Sequence, residues 1–180
     1  MSAGPIYLLS GPPGAGKSSI ATALMGRFAR GVHVPADDLR EWVVSGRSGP
    51  ENWTEETERQ FGLARTVAAH TARLYSEAGF AVAVADVLFP HDVEAHFDPL
   101  TPNNGGNILK VLLFPTREST QMRNALRTNK SFDTRGLAPL IDTVYDAMQE
   151  RDWTGWHRLD TTAHTVEVTV DRILELSEWD

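Results

Sequence analysis

The chain has 180 residues, 41% of them hydrophobic and 8% aromatic, enough to fill one sizeable core and too apolar for a disordered segment. It contains no cysteine, which excludes disulfides and thiolate metal sites and fits a reducing, cytoplasmic compartment. A formal net charge of −7 and a pI of 5.3 oppose broad nonspecific nucleic-acid binding, which relies on Lys and Arg to neutralise phosphates. No apolar run approaches the roughly 20 residues that span a bilayer, and the first one begins by Ile6, leaving no room for a signal peptide, so no membrane association is expected.

That first run, PIYLL at 5–9, reads as a strand, and a helix is expected over 17–29. Between them lies GPPGAGKS, which fits G-x-x-x-x-G-K-[ST] at Gly11, Gly16, Lys17 and Ser18 in the strand-then-helix setting the motif requires. Four such positions co-occur by chance in about 1% of chains this long, so an ordinary Gly/Pro turn is the weaker reading. Glycine admits backbone angles that other residues resist, and this lets a loop wrap an anion at a helix N-terminus. The expected cradle for ATP runs through Gly11, Pro12, Pro13, Gly14, Ala15, Gly16, Lys17, Ser18 and Ser19. Lys17 can reach the β- and γ-phosphates, and the Ser18 hydroxyl can coordinate Mg²⁺.

A second strand is expected over 31–34 and a helix over 38–45, with Asp37 and Asp38 at the helix start and Arg40 beyond them. One aspartate suffices to serve the helix end, so the other is available to take or align the proton of a hydroxyl acceptor. The stretch 46–52 reads as a loop, and a long helix is expected over 54–78. Thr54 suits its cap and Glu55 and Glu56 suit its dipole, but Thr57 stands where a full capping box calls for Glu or Gln, so that box is expected to be incomplete.

The third strand, 80–86, ends in Asp86, a carboxylate that is costly after a buried strand unless it meets a metal, water or cation; a role toward Mg²⁺-bound water or the acceptor is expected, with a plain strand-end cap as the alternative. His91, Asp92 and His96 have spacing too mixed to argue for a metal site made of protein alone. A loop at 99–106 precedes a fourth strand at 108–114, a helix at 118–128, a helix at 137–150, a fifth strand at 156–160 and a last helix at 165–178. Arg123 and Arg127, four apart, share a helical face, while Lys130 or Arg135 can close over the γ-phosphate from a lid at about 128–136. No repeat or domain boundary interrupts residues 1–180, which read as one domain.

The phosphate loop, ADDLRE, strand-end Asp86, the RNALR pair and RLDTT together resemble the compact P-loop kinases, especially the chloramphenicol phosphotransferase-like and zeta-toxin/polynucleotide-kinase-like groups. The resemblance implies a three-layer α/β sandwich, a five-stranded parallel sheet of order 2-3-1-4-5, helices on both faces and a small arginine-containing lid. By the same likeness Asp37 is the base, Arg40 holds a substrate phosphate, Arg123 and Arg127 are the adenine-facing and phosphate-facing lid pair, and Thr161 and Thr162 lie in the adenine-side loop. Three functions stay open. ATP-dependent transfer to a hydroxyl of a small molecule leads, with Trp42, Trp53, Phe61, Phe89 and Phe97 as pocket-lining or core residues. A 5′-hydroxyl polynucleotide kinase is the alternative, favoured by Arg40 and opposed by the acidic balance. A nucleotide-binding switch without transfer is the third.

Overall fold

A computed structural model describes residues 2–98, 108–126 and 138–177. Twelve elements follow in the order β1 (Ile6–Ser10), α1 (Lys17–Met25), β2 (Gly31–Pro35), α2 (Ala36–Glu41), α3 (Glu55–Glu77), β3 (Ala81–Ala85), α4 (Pro90–His96), β4 (Ile108–Leu113), α5 (Arg117–Ala125), α6 (Ala138–Glu150), β5 (His157–Leu159) and α7 (Val166–Leu176). The strands form one five-stranded sheet of order β2-β3-β1-β4-β5, every pair parallel. This is the expected architecture and strand order. Parallel neighbours need long crossovers, which is why helices separate the strands in sequence and end up on the sheet faces.

Alternation along β3 sorts the two cores. Ala81, Ala83 and Ala85 pack with Tyr7, Leu9 and Val111 under α1 and α7, whereas Val82 and Val84 pack with Leu8 under α3. The α3 stripe is made of Ala68, Ala69 and Ala72, small residues that let a 23-residue helix lie close to the sheet. Leu112, Phe114, Tyr145 and Met148 form a third cluster, between β4 and α6. Each fully buried leucine here is worth about 2 kcal/mol of apolar transfer.

Several boundaries differ from the sequence expectations for local reasons. Helix α1 stops at Met25, with Gly26 as its C-cap, rather than running on to residue 29. Helix α2 begins at Ala36, straight after β2, so Asp37 and Asp38 fall in its first turn and neither caps it. At α3 the capping box is complete: the Thr57 amide donates to Thr54 Oγ1 at 3.2 Å and the Thr54 amide donates to Thr57 Oγ1 at 3.2 Å. A threonine hydroxyl accepts where Glu or Gln was thought necessary. Helix α4 had no counterpart in the sequence reading. It opens with Pro90, and its third residue, Asp92, accepts from the Phe89 amide at 2.8 Å.

Candidate functional site

The C-terminal ends of β1, β2 and β3, the three strands from one edge of the sheet to its middle, carry a glycine loop and a carboxylate cluster side by side in one sheet. After β1, three glycines take positive φ: Gly11 at 150°, Gly14 at 91° and Gly16 at 95°. A Cβ on Gly11 would stand 2.3 Å from the Leu113 carbonyl oxygen, and one on Gly14 would stand 2.4 Å from that of Thr120. The loop is therefore wedged between the end of β4 and α5, and only glycine fits at either place. Gly16 caps α1, whose first turn has no acidic residue, so its positive end is left for an anion. Lys17 folds back over the loop, donating from Nζ to the Gly11 carbonyl at 2.8 Å and the Pro12 carbonyl at 3.1 Å.

A chain of ion pairs runs along the ends of β2 and β3. Arg40, on α2, bonds to Asp37 one turn earlier and donates from Nη1 to Asp86 Oδ1 at 3.1 Å. Arg65, on α3, donates from Nε to the other Asp86 oxygen at 3.4 Å, from Nη1 to Asp92 Oδ1 at 2.5 Å and from Nη2 to the Val87 carbonyl at 3.1 Å. The side chains of Asp86 and Asp92 are only 1% and 4% exposed. Phe61 lies beneath, 4.2 Å from its ring centroid to Arg40 Cζ and 5.9 Å to Arg65 Cζ. Burial works against the Arg40 charge, but Asp86 and Asp37 outweigh it and hold its pKa above the usual arginine value. Ser10, at the end of β1, locks the turn after β3: its hydroxyl donates to the Leu88 carbonyl at 2.6 Å and accepts from the Leu88 amide at 3.0 Å.

On the opposite side of the loop, Arg123 of α5 donates from Nη2 to the carbonyls of Thr161 and Thr162 at 2.8 and 3.2 Å. Thr162 is itself held in a tight turn, its amide and hydroxyl donating to Asp160 at 2.9 and 2.5 Å, and its Oγ1 accepting from the Thr116 amide at 2.8 Å. These bonds favour the charged carboxylate, and the Thr162 hydroxyl and amide hold Asp160 below the usual range. Helix α5 and the segment after β5 are thus pinned together beside the phosphate loop.

The AAA domain family model matches residues 6–151. The chain belongs to this family. Among solved structures, the Mycobacterium tuberculosis APS kinase CysC in complex with AMPPNP and APS is similar with a TM-score of 0.73 at 16% identity, over 99% of this chain and 100% of that one. The shikimate kinase from Bacteroides thetaiotaomicron is similar with a TM-score of 0.65 at 16% identity, over 97% and 99%. The Deinococcus radiodurans tunicamycin resistance protein is similar with a TM-score of 0.65 at 10% identity, over 98% and 97%. At such identities the likeness is one of fold. Among curated proteins no significant match was found.

In this AAA-domain chain the sequence expectations meet the geometry unevenly. Asp37, Arg40 and Asp86 come together, whereas Asp38 is exposed and its charge acts on His33. Both Asp86 oxygens go to arginines, and Ser18, in the first turn of α1, has no bond to it. Arg127, Arg135 and the lid at 128–136 lie outside the described residues. Phe97 is core, Phe61 underlies the arginines and Phe89 stacks on Trp153 and His91, but Trp42 and Trp53 are 71% and 53% exposed. His96 Nδ1 meets Thr66 Oγ1 at 3.0 Å, and Asp92, which serves Arg65, has His91 Nε2 3.6 Å from its Oδ1.

Arg65 and Asp92 were the residues that sequence reasoning missed as a pair. The signal was there: Arg65 interrupts the buried Phe61, Ala64, Ala68, Ala69 face of α3, and a charge on an apolar stripe calls for a buried counter-charge.

Proposed function

We propose that this chain is an ATP-dependent phosphotransferase that moves the γ-phosphate to a hydroxyl of a small molecule, an antibiotic or a metabolite. The observation that carries the reading is the placement of Asp37, through Arg40, in one network with Asp86 at the strand ends next to the glycine loop. The neighbours named APS kinase and shikimate kinase, the first with AMPPNP, support a nucleotide in the loop. The cradle suits that group: Gly11, Gly14 and Gly16 hold the loop at positive φ, Lys17 stands over it, and no acidic side chain occupies the first turn of α1.

In this reading the Gly11–Ser19 backbone and side chains hold the phosphates, and Ser18 is the residue that would hold Mg²⁺, whose charge offsets that of the reacting phosphates. Lys17 exchanges its two carbonyl partners for phosphate oxygens, a trade that favours the charged partner. Asp37, paired with Arg40, aligns the acceptor hydroxyl and receives its proton at a carboxylate oxygen. Asp86 acts on the acceptor side, by fixing Arg40, rather than on the metal. Arg123 sets the Thr161–Thr162 segment as the adenine-side wall. Arg127 retains the phosphate-facing role that the resemblance implies, and Arg135 the γ-phosphate role read from its place in the sequence.

The polynucleotide alternative requires Arg40 to hold a substrate phosphate, but its guanidinium is already committed to two carboxylates. The test is ATP consumption measured against small alcohols, antibiotics, nucleosides and 5′-hydroxyl oligonucleotides. A small hydroxyl compound should stimulate ADP release. Stimulation by oligonucleotides alone would reject the reading.

A further inference from the structure

Two arginines in an acceptor site ordinarily suggest that the acceptor is an anion. Here the charges around them say otherwise. Arg40 and Arg65 face three carboxylates, Asp37, Asp86 and Asp92, so these five groups together carry a charge of about −1 before any ligand arrives. Asp86 sits between the guanidiniums and accepts from both, one through each oxygen. Arg65 has Asp86, Asp92 and the Val87 carbonyl on its Nε, Nη1 and Nη2 respectively, and is itself buried.

An anionic acceptor could win Arg65 only by taking it from Asp86 or Asp92, and Arg40 only by displacing Asp37 at the mouth or Asp86 beneath it, so the buried Asp86 and Asp92 set the cost. Both carboxylates are buried, so the loss would leave a charge in a poor dielectric without its counter-ion, and that penalty exceeds what a new ion pair at the site mouth returns. We propose that Arg40 and Arg65 are internally neutralised scaffolding rather than an anion clamp, and that the site therefore selects acceptors without an anionic group: uncharged or cationic hydroxyl compounds.

This rests on the phosphotransferase reading above and narrows its substrate class. Arg65 becomes a positioning residue, acting through Asp86 on Arg40 and so on Asp37. Trp53 adds to the same picture: half-exposed and packed at 5.0 Å on Phe61, it continues the ring surface beneath Arg40 toward solvent, where an apolar face of an uncharged acceptor can rest.

The experiment follows the arginine Nε–H signals of the full chain by NMR with ADP saturating the phosphate loop, while formate and, separately, sulfate are added. In the parent protein neither anion should move the Arg40 or Arg65 signals in a saturable way. A saturable shift with a Kd in the low millimolar range or tighter would overturn the proposal. The Asp86→Ala variant opens a gap between the two guanidiniums where a carboxylate belongs; formate should bind there, shifting both signals and raising Tm. A folded Asp86→Ala that ignores formate would also count against it, because the arginines would then not need the charge they were said to hold.

A catalytic arm uses matched acceptors, a polyol against its own phosphate or carboxylate derivative. The uncharged member should have a kcat/KM at least about tenfold higher, and preference for the anionic member would refute the proposal. If no acceptor of either kind stimulates ADP release, the phosphotransferase reading fails, whereas the NMR result still decides whether the arginines can take an anion.

Discussion

Arg40 and Asp86 join across the sheet edge at 3.1 Å, so the helix that follows β2 is bound to the residue that follows β3. Between them they fix where Asp37 stands. Arg40→Ala would leave Asp86 with Arg65 and take the Arg40 ion pair from Asp37. Loss of one partner of a buried pair, softened here by the second arginine, should lower stability by about 1–3 kcal/mol in urea unfolding. Nucleotide affinity should stay near the parent value, because α2 touches none of the loop contacts described for Lys17. A large fall in ATP affinity would mean that the acceptor and nucleotide sides are coupled more tightly than these bonds imply.

Lys17→Ala removes the cation over the phosphate loop without touching its glycine wedges. The fold should survive, and turnover should fall by about 10²-fold or more, the scale of losing one electrostatic group from a phosphoryl-transfer transition state. Ser18→Ala should instead weaken Mg²⁺-nucleotide binding, seen as a shifted Mg²⁺ dependence. Equal ATP turnover in the parent and both variants would contradict the role given to the loop.

His33 links the site's edge strand to acid sensitivity. Its Nδ1 lies 3.1 Å from Thr22 Oγ1, its Nε2 is buried without a hydrogen-bond partner, and burial holds its pKa below the usual 6.5 although Asp38 pulls the other way. His96 is lowered as well, by burial and then by Arg65. For both, the unfolded chain takes up a proton more readily than the folded one. Their stability contribution is therefore complete above pH 6.5 and declines as the pH drops from there toward the folded pKa. The urea midpoint should be lower at about pH 5.5 than at about pH 7.5, and His33→Gln should narrow the difference. An unchanged difference in His33→Gln would assign the acid sensitivity elsewhere.

How much of this was legible beforehand depended on whether the deciding interaction was local. The phosphate loop is a local device, written in four positions and a strand-to-helix change, and it is where the sequence put it. The strand order came with the family likeness of the motifs. Alternation in AVAVA marked a buried strand but could not say which of its faces meets α1 and which α3. Asp86 was singled out for the right physical reason, the cost of a buried carboxylate, yet its partner on α3 is 21 residues away and no spacing rule points to it. Helix α4 was missed because its seven residues are too few for periodicity to register.

The start of α3 offers a stability test independent of catalysis. Thr54 and Thr57 exchange amide-to-hydroxyl bonds, and Ser48 Oγ lies 2.6 Å from Thr57 Oγ1, tying the preceding loop to the cap. Thr54→Ala should destabilise the protein by about 1 kcal/mol, whereas Thr54→Ser should recover most of that loss. Comparable melting temperatures for Thr54→Ala and the parent would show that the cap contributes little in its tertiary setting.

The last prediction separates the two aspartates of α2. Both lie in the first turn, behind Pro35 at the N-cap, so their helix-dipole contributions should be alike and small. Their surroundings differ: Asp37 is 40% exposed and bonded to Arg40, whereas Asp38 is exposed and has His33 as its nearby titratable neighbour. Asp37→Asn keeps the shape and can still accept a bond from Arg40, but it removes the carboxylate proposed to align the acceptor hydroxyl and take its proton. Transfer should fall by about 10²- to 10⁴-fold at saturating ATP, the range for a general base, with ATP affinity and fold retained. A loose transition state makes proton removal less demanding, so a loss near the lower end would identify alignment as the larger part of the work. Asp38→Asn should remain within a few-fold of the parent, because only its charge near His33 changes. The comparison of the two kcat values with one identified acceptor decides the assignment. A crippled Asp38→Asn beside an active Asp37→Asn would reverse it, and two active variants would remove this turn from the chemistry altogether.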